Sequence, residues 1–309
     1  MGRGTVRRAG WSHRLSVIVL AATLAVLLAV PAAGSPAGGA LVAQALRTPG
    51  TGSYVFTGYP PLADRPVRVW YSAPRDPATA QIVVAVHGLS RDGRAHRDDW
   101  ARLVAGRNVL VLVPELTRAA YPDYNTGHVV DDRGVRQPPD RWTFPLVEAL
   151  FDHAVAATGS RERDYALFGF SGGAQFVHRF VELMPVHRAR VAVAANAGWY
   201  TMPDDTVPYP YGLAGAPVRS AGLGRAFATE LVLLLGQRDT DPRDPSLLHD
   251  PRADRQGMQR LERGRAFFAA AARTARAHGF PLHWRVWEVP GLGHVHATAA
   301  QAALPYLLV

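Results

Sequence analysis

The sequence predicts an α/β fold in which a mostly parallel central sheet carries helices on both faces. Short apolar segments alternate with longer segments of helical spacing through most of the chain, and this alternation is typical of parallel sheets. The 309 residues are 48% hydrophobic and 19% charged, which is sufficient for one large core. No period of about 20–50 residues repeats, so neither a solenoid nor a propeller is expected.

Local patterns predict the elements of the first half. Segment 67–71 alternates apolar and polar residues, as a strand with one solvated face does. Segments 82–86 and 109–113 are short apolar runs, which are typical of buried parallel strands. A helix ending in glycine is expected at 96–106, and the Pro-, Asp- and Gly-rich residues 117–140 predict a long loop.

The second half continues the alternation. Apolar residues recur at helical spacing over 142–157. Residues 199–228 combine aromatic residues with several Pro and Gly, which predicts a short irregular insertion and a candidate cap over a ligand site. Further strands are expected at 165–168, 190–195, 231–235 and 282–288, and further helices at 172–184, 257–278 and 296–308.

The N-terminal residues have the order of a secretory signal peptide. Residues 1–14 are basic, 15–30 are almost wholly apolar, and small residues follow at 31–35. We expect a signal peptide at 1–40, a catalytic domain at 41–309, and a secreted or cell-envelope protein. The apolar run is short for a bilayer span, so an uncleaved membrane anchor is the alternative, and cleavage is possible anywhere between about residues 32 and 45.

Charge and cysteine content exclude several functions. The net charge is +9 and every basic residue other than His is Arg, but these residues are interleaved with acids, for example along 238–255. We therefore expect solvated faces and no nucleic-acid partner. The absence of Cys excludes disulfides, thiolate zinc sites and a Cys nucleophile.

Gly169-Phe170-Ser171-Gly172-Gly173 fits the pattern G-x-S-x-G. In this motif the serine lies on a sharp strand-to-helix turn, where side chains two positions away would clash and glycines relieve the crowding. The pattern is weak alone, because ordinary turns also contain Gly and Ser. Here it lies between a predicted strand and an apolar helix, so Ser171 is the predicted nucleophile.

A nucleophilic serine needs a general base. The last predicted strand runs into a glycine-rich loop that ends at Gly293-His294, and such a loop can bring His294 to the nucleophile. His296 is the alternative base, although we expect it to begin the final helix. A His-x-His metal site is a third interpretation, but no third ligand is evident and no metal is expected.

The base needs an orienting carboxylate, which should follow the preceding strand at 231–235. Asp239 and Asp241 both lie there, and the Gly-x-x-Asp spacing favours Asp239. Either residue could instead have only a turn or helix-cap role. A calcium loop that includes Asp244 is disfavoured, because the central Gly and terminal Glu of such loops are absent.

Acyl transfer also needs backbone N–H groups that stabilise an oxyanion. Gly172 follows the nucleophile and is expected to supply one donor. The second is expected from the loop His87-Gly88-Leu89-Ser90-Arg91, with Leu89 as the favoured residue and Ser90 next. His87 is interpreted as a residue that packs this loop.

Together these residues resemble the α/β-hydrolase superfamily over about residues 65–309. The chain is most similar to exported or lipoprotein-like hydrolases related to polyhydroxyalkanoate depolymerases and feruloyl-type esterases. That closer likeness is carried by His87–Arg91 with Trp100, Phe168–Phe176 with Arg179, and Asn196–Pro203.

The resemblance implies a carboxylic ester hydrolase with an acyl-enzyme intermediate and no cofactor. Disulfides common in secreted relatives are impossible here, and no separate substrate-binding domain follows, so a small soluble ester is the expected substrate. A peptidase or amidase with the same triad is the first alternative, and a non-catalytic envelope binding protein is the second.

Three further groups of residues have open roles. The aromatic residues of the insertion either form a wall for the substrate or pack beneath the loop, and residues 121–125 are candidates for the lining of the pocket. Arg179 is expected to form a structural ion pair, and Asp98, Asp99 and Arg102 an exposed helix face. The aromatic residues are Trp199, Tyr200, Tyr209 and Tyr211.

Overall fold

The computed structural model describes residues 1–2, 43–184 and 186–308. The predicted signal peptide falls almost wholly outside these residues, so the domain boundary near residue 40 stays a prediction. Within the described ranges, every helix is too short or too polar to cross a bilayer. All elements given below belong to the unit Pro31–Val309.

One eight-stranded sheet forms the centre of this unit, in the order β1-β2-β4-β3-β5-β6-β7-β8. The first two strands pair antiparallel with each other, the second pairs antiparallel with the fourth, and the remaining pairs are parallel. The predicted mostly parallel sheet is therefore confirmed. The strands are β1 (Gly50–Phe56), β2 (Val67–Ala73), β3 (Gln81–Val86), β4 (Val109–Glu115), β5 (Tyr165–Phe170), β6 (Ala189–Ala195), β7 (Leu231–Gly236) and β8 (Arg285–Val289).

Helices cover both faces of the sheet. Residues 43–47 are also helical and precede β1. The α-helices are α1 (Gly93–Leu103), α2 (Pro145–Thr158), α3 (Gly172–Leu183), α4 (Gly224–Ala228), α5 (Pro251–Asp254), α6 (Arg260–His278) and α7 (His296–Leu307).

Successive side chains of β3 point to opposite faces of the sheet and are all apolar from Ile82 onward, so both faces need a cover. Its residues Ile82 and Val84 pack into one core with α2, α3 and α6. Its residues Val83 and Ala85 pack into a second core with α1 and α7. Because successive strand side chains point to opposite faces, an all-apolar strand must be covered on both, as the sequence predicted.

Two elements differ from the prediction in extent. The segment predicted as one helix at 257–278 begins only at Arg260, and the short helix α5 precedes it. Gly257 has φ of 144°, which is incompatible with a helix. The strand predicted at 282–288 occupies Arg285–Val289, and its pairing with β7 begins at Val232 opposite Arg285.

The edge strand β1 was missed altogether. Its sequence contains two glycines and a serine, which have low β-propensity, and only Tyr54 and Phe56 of its side chains are buried. The first helix was predicted at 96–106 but occupies Gly93–Leu103, because the Asp92 side chain accepts a hydrogen bond from Ala95 N at 2.8 Å and caps it.

The insertion after β6 is irregular up to α4, which begins at Gly224. Its chain is held by turn hydrogen bonds, such as Leu213 N to Asp204 O at 2.8 Å. Trp199 and Tyr211 are buried and stack with ring centroids 4.5 Å apart, and Tyr200 is buried against Phe267. These contacts favour packing beneath the insertion over an exposed aromatic wall.

Several histidines are buried, and this burial predicts acid sensitivity. Desolvation lowers the pKa of His96 from 6.5 to about 2, with a further contribution from His296, whose ring stacks on it at 3.5 Å between centroids. Desolvation likewise lowers the pKa of His87 to about 4 and the pKa of His178 well below its usual value. The unfolded chain therefore binds more protons below about pH 6.5.

We expect the free energy of unfolding to be fully retained above pH 6.5 and to fall as the pH drops below it. A His96→Phe variant keeps a stacked ring without the titrating nitrogen. Between pH 7.5 and pH 5.0 its free energy of unfolding should fall by about 2 kcal/mol less than that of the native chain. Urea denaturation at the two pH values measures this difference. The exposed His283→Phe variant is the control. An equal loss of unfolding free energy in the two variants would show that His96 is not the source of the acid sensitivity.

Candidate active site

Ser171 lies at the turn between β5 and α3. Its φ of 55° and ψ of −112° place a non-glycine residue in a strained conformation. The turn is held because Ser171 N donates to Ala195 O at 2.9 Å and Ser171 O accepts from Gln175 N at 3.1 Å. The side chain therefore stands at the carboxyl end of the parallel strands, where such folds bind ligands.

The two glycines that flank Ser171 at a distance of two residues are required by close backbone contacts. A Cβ at Gly169 would lie 2.2 Å from Gly173 O, and one at Gly173 would lie 2.1 Å from Val86 O. No rotamer change relieves a contact with a backbone carbonyl. The glycine spacing of the motif is thus a steric requirement of this turn.

His294 is brought to Ser171 by the loop that follows β8. Its Nε2 lies 3.0 Å from Ser171 Oγ, and its Nδ1 lies 2.6 Å from Asp239 Oδ2. The carboxylate acceptor assigns the proton to Nδ1 and leaves Nε2 free to accept the serine proton. The structure brings the predicted nucleophile, base and acid together in a continuous chain of contacts.

The structure also distinguishes the two candidate acids. Asp239 follows β7, is 4% exposed, and has its N–H bonded to Gly236 O at 3.0 Å. The Asp241 side chain is 64% exposed, and it accepts a turn hydrogen bond from Arg243 N. Of these two aspartates, Asp239 is the one that contacts His294, and Asp241 lies in the turn.

The loops that carry the acid and the base are tied together by main-chain hydrogen bonds. Gln237 N donates to Val289 O at 3.1 Å, and Arg238 N donates to Leu292 O at 2.8 Å. Asn196 adds two more bonds, accepting from Gly236 N at 2.7 Å and donating to Gly293 O at 3.0 Å. These contacts fix the separation between Asp239 and His294.

The predicted oxyanion donors lie beside Ser171. Gly172 begins α3, and its N–H is among those that have no acceptor within a helix. The Leu89 loop approaches the same point, because the Leu89 side chain lies next to Gly172 and a Cβ on Gly88 would lie 3.5 Å from Ser171 Cβ. The Leu89 N–H has no main-chain partner among the described residues.

The Leu89 loop is held by hydrogen bonds to neighbouring segments of the chain. Leu116 N donates to His87 Nε2 at 2.8 Å, and His87 Nδ1 lies 2.8 Å from Gly88 O, so His87 has the packing role that was predicted. Tyr124 donates to His87 O at 2.7 Å. Arg91, with φ of 59°, donates to Leu116 O, among other carbonyls.

His296 begins α7, as predicted, and does not reach Ser171 in this arrangement. Its Nδ1 lies 2.7 Å from Asp99 Oδ2. Asp99 therefore links α1 to α7 through His296, which corrects the prediction that it belongs to an exposed helix face. Charge patterning alone could not have shown this contact, because the two residues are nearly 200 positions apart.

Arg179 also departs from the prediction, because no carboxylate lies within ion-pair distance of it among the described residues. Its Nε donates to Thr201 Oγ1 at 2.8 Å, its Nη1 donates to the carbonyls of Asn125 and Gln175, and its guanidinium stacks on Trp199. It is a fully buried cross-link between α3, the 117–140 loop and the insertion.

Three residues far apart in the sequence make contacts around the site that were not predicted. Asn196 connects the acid and base loops, Tyr124 supports the Leu89 loop, and Arg260 donates to Asp239 Oδ1 at 3.0 Å. In the calcium-loop hypothesis a cation would lie between Asp239 and Asp244. The Arg260 guanidinium occupies that position, and no group of three His, Asp or Glu suited to a metal occurs in the described part of the chain.

Chemically, the arrangement provides a hydroxyl beside an imidazole acceptor, a buried carboxylate behind the imidazole, and two main-chain donors near the hydroxyl. These are the parts required for nucleophilic attack on a carbonyl group. They lie on four different loops, and each follows a parallel strand of the sheet.

Solved structures show the same fold. The chain is 39% identical to poly(aspartic acid) hydrolase-1 from Sphingomonas sp. KT-1, with a TM-score of 0.81, covering 85% of this chain and 100% of that one. It is 31% identical to a poly(3-hydroxybutyrate) depolymerase from Bordetella parapertussis, with a TM-score of 0.81, covering 87% and 94%.

A more distant structure, a siderophore hydrolase from Aspergillus nidulans, is 15% identical with a TM-score of 0.51 and covers 84% of this chain and 93% of that one. That likeness supports the fold alone. No family model and no curated protein matches the chain. The two relatives above 30% identity, together with the eight-stranded sheet, show that the chain is a hydrolase and belongs to the α/β-hydrolase superfamily.

Proposed function

We propose that the protein is a serine hydrolase that cleaves carboxylic esters through an acyl-enzyme, with Ser171 as nucleophile, His294 as general base and Asp239 as the residue that orients His294. The observation that carries this proposal is the pair of contacts made by His294, 3.0 Å to Ser171 Oγ and 2.6 Å to Asp239 Oδ2. Both distances allow hydrogen bonds with no rearrangement.

The proposed reaction has two halves. Ser171 Oγ attacks the ester carbonyl carbon while its proton passes to His294 Nε2, and the N–H groups of Gly172 and Leu89 stabilise the oxyanion. Collapse breaks the bond to the alcohol, which leaves with the proton from His294. Water then attacks the acyl-enzyme while one of its protons passes to His294 Nε2. Collapse breaks the bond to Ser171 Oγ, which takes that proton back from His294, and the carboxylic acid leaves.

Hydrolysis of an amide by the same residues is the second candidate. It is favoured by the relative of 39% identity, which is described as a poly(aspartic acid) hydrolase, since that polymer is joined by amide bonds. The other relative is described as a depolymerase of a polyester. This chain covers 100% and 94% of these two relatives, and both are described as acting on polymers, so the two polymers are tested beside small esters.

A small soluble ester remains the proposed substrate, with the exported location expected from the N-terminal residues. The test is turnover of p-nitrophenyl esters from acetate to palmitate, beside a p-nitroanilide of the same acyl group and the two polymers. Ester turnover that exceeds anilide turnover is expected, and Ser171→Ala should lower it by roughly 10³-fold or more.

Ser160→Ala is the matched control for this variant. Ser160 is as buried as Ser171, but within the described ranges its hydroxyl accepts only from Glu162 N. Full activity in Ser171→Ala would exclude the proposed nucleophile. Anilide or poly(aspartic acid) cleavage that exceeds ester cleavage, and that is lost with Ser171, would replace the ester assignment by the amide one.

A further inference from the structure

The carboxylate of Asp239 uses its two oxygens differently. Oδ2 faces His294 Nδ1 at 2.6 Å, and Oδ1 accepts from Arg260 Nη1 at 3.0 Å. A carboxylate held by only one oxygen can turn about its χ2 bond, which has broad torsional freedom. The second contact therefore restricts the orientation of the carboxylate that faces His294.

Arg260 is itself held rigidly. It is the first residue of α6 and is 2% exposed. Its Nη1 also donates to Asp244 Oδ2 at 2.9 Å, and its Nη2 donates to Ser246 Oγ at 2.8 Å. The guanidinium thus joins Asp239 to Asp244 and Ser246, which lie further along the segment after β7.

The surrounding charges are consistent with a permanent ion cluster. Burial acts to raise the pKa of Asp244, but hydrogen bonds from Ser246 and Arg260 hold that pKa below its usual value. Asp244 is therefore ionised at neutral pH, and Arg260 bridges two carboxylates. Arg263 on the same helix and the Tyr200 hydroxyl are the other titratable groups close to this cluster.

We propose that Arg260 is a positioning residue of this hydrolase, which holds the Asp239 carboxylate in the orientation that directs His294 toward Ser171. The inference rests on the proposed triad. Arg260 touches neither Ser171 nor His294, so its effect passes through Asp239. Its positive charge also limits how strongly the carboxylate favours a protonated His294.

Arg263 offers a matched control. It lies one turn further along α6, is fully buried, and also pairs with an aspartate, Asp254, at 2.9 Å. Its other bonds go to main-chain carbonyls such as Gly198 O. Loss of Arg263 therefore removes a comparable buried cation without touching the triad.

The experiment compares Arg260→Met with Arg263→Met in the full chain, using a p-nitrophenyl ester and scaling rates to the folded fraction. We expect kcat to fall roughly 10- to 100-fold in Arg260→Met, because a small misplacement of a catalytic group has an effect of that size. KM should stay nearly constant. In Arg263→Met, kcat should stay within about twofold of the native value even where stability falls.

The pH profile provides a readout that a purely structural role would not move. Without Arg260, the uncompensated carboxylate favours a protonated base, so the acid limb of kcat/KM should move to higher pH by about half a unit or more. Arg263→Met should leave this limb unchanged. Equal kcat and equal acid limbs in the two variants would overturn the proposal.

If Arg260→Met does not fold, Arg260→Lys and Arg263→Lys answer the same question. A lysine retains the charge but lacks the planar fork that spans three acceptors. We expect kcat to fall several-fold, to roughly a third or less, only in Arg260→Lys, and equal values in the two variants would refute the inference. Failure of the triad itself would appear differently, as a native chain with no Ser171-dependent turnover.

Discussion

Asp239→Asn is expected to lower kcat by roughly 10³- to 10⁴-fold with little change in KM. An amide at this position can present its NH₂ group to Nδ1, which would place the imidazole proton on Nε2. Ser171 would then face a donor at 3.0 Å instead of the acceptor that must take its proton. Steady-state kinetics on a p-nitrophenyl ester measures the effect.

Asp241→Asn is the control for this prediction, because the residue lies two positions away and belongs to the same turn. Its exposed carboxylate accepts only within the turn, so kcat should stay within about twofold of the native value. A large loss in Asp241→Asn, or full activity in Asp239→Asn, would transfer the acid to the residue that was predicted second.

Gly173→Ala is expected to remove both stability and activity. The new Cβ would lie 2.1 Å from Val86 O and 2.7 Å from His87 O, so α3 must move away from β3. We expect the free energy of unfolding to fall by about 4 kcal/mol or more. Turnover should be lost in any folded remainder, because the Leu89 loop begins at His87.

Gly222→Ala is the matched control, because its Cβ would make only an ordinary contact of 3.5 Å with Val218 Cγ1. Thermal unfolding followed by circular dichroism compares the two variants. A melting temperature of Gly173→Ala equal to that of Gly222→Ala would show that the turn can relax, which contradicts a steric origin of the glycine spacing.

The central fold could be predicted because its strands are buried on both faces. In β3, β5 and β7 apolar runs occur without alternation, and such runs between helical segments are typical of strands in a parallel sheet. The edge strand β1 was missed, because only two of its side chains are buried, and its antiparallel pairing with β2 leaves no periodic apolar pattern in the sequence. The break before α6 depends on one glycine φ, which spacing does not reveal.

The parts of the candidate site that follow strands could also be predicted, since the ends of parallel strands converge. Asp239 was favoured over Asp241 by spacing, and in the structure the contact with His294 and the burial of Asp239 distinguish the two residues. The contacts of Asn196 and Arg260 could not be predicted from the sequence. In a charged segment, an arginine that caps a helix has the same sequence pattern as one that bridges two aspartates. Long-range side-chain contacts of this kind carry no periodic signal.

The most direct test of the proposed nucleophile is labelling with a fluorophosphonate, followed by intact mass measurement and peptide mapping. Such reagents bond only to a serine that an adjacent base activates. We predict one adduct per chain, located on Ser171, abolished in Ser171→Ala and retained in Ser160→Ala. An unlabelled native chain, or an adduct on another serine, would contradict the assignment of Ser171, His294 and Asp239 as the catalytic residues.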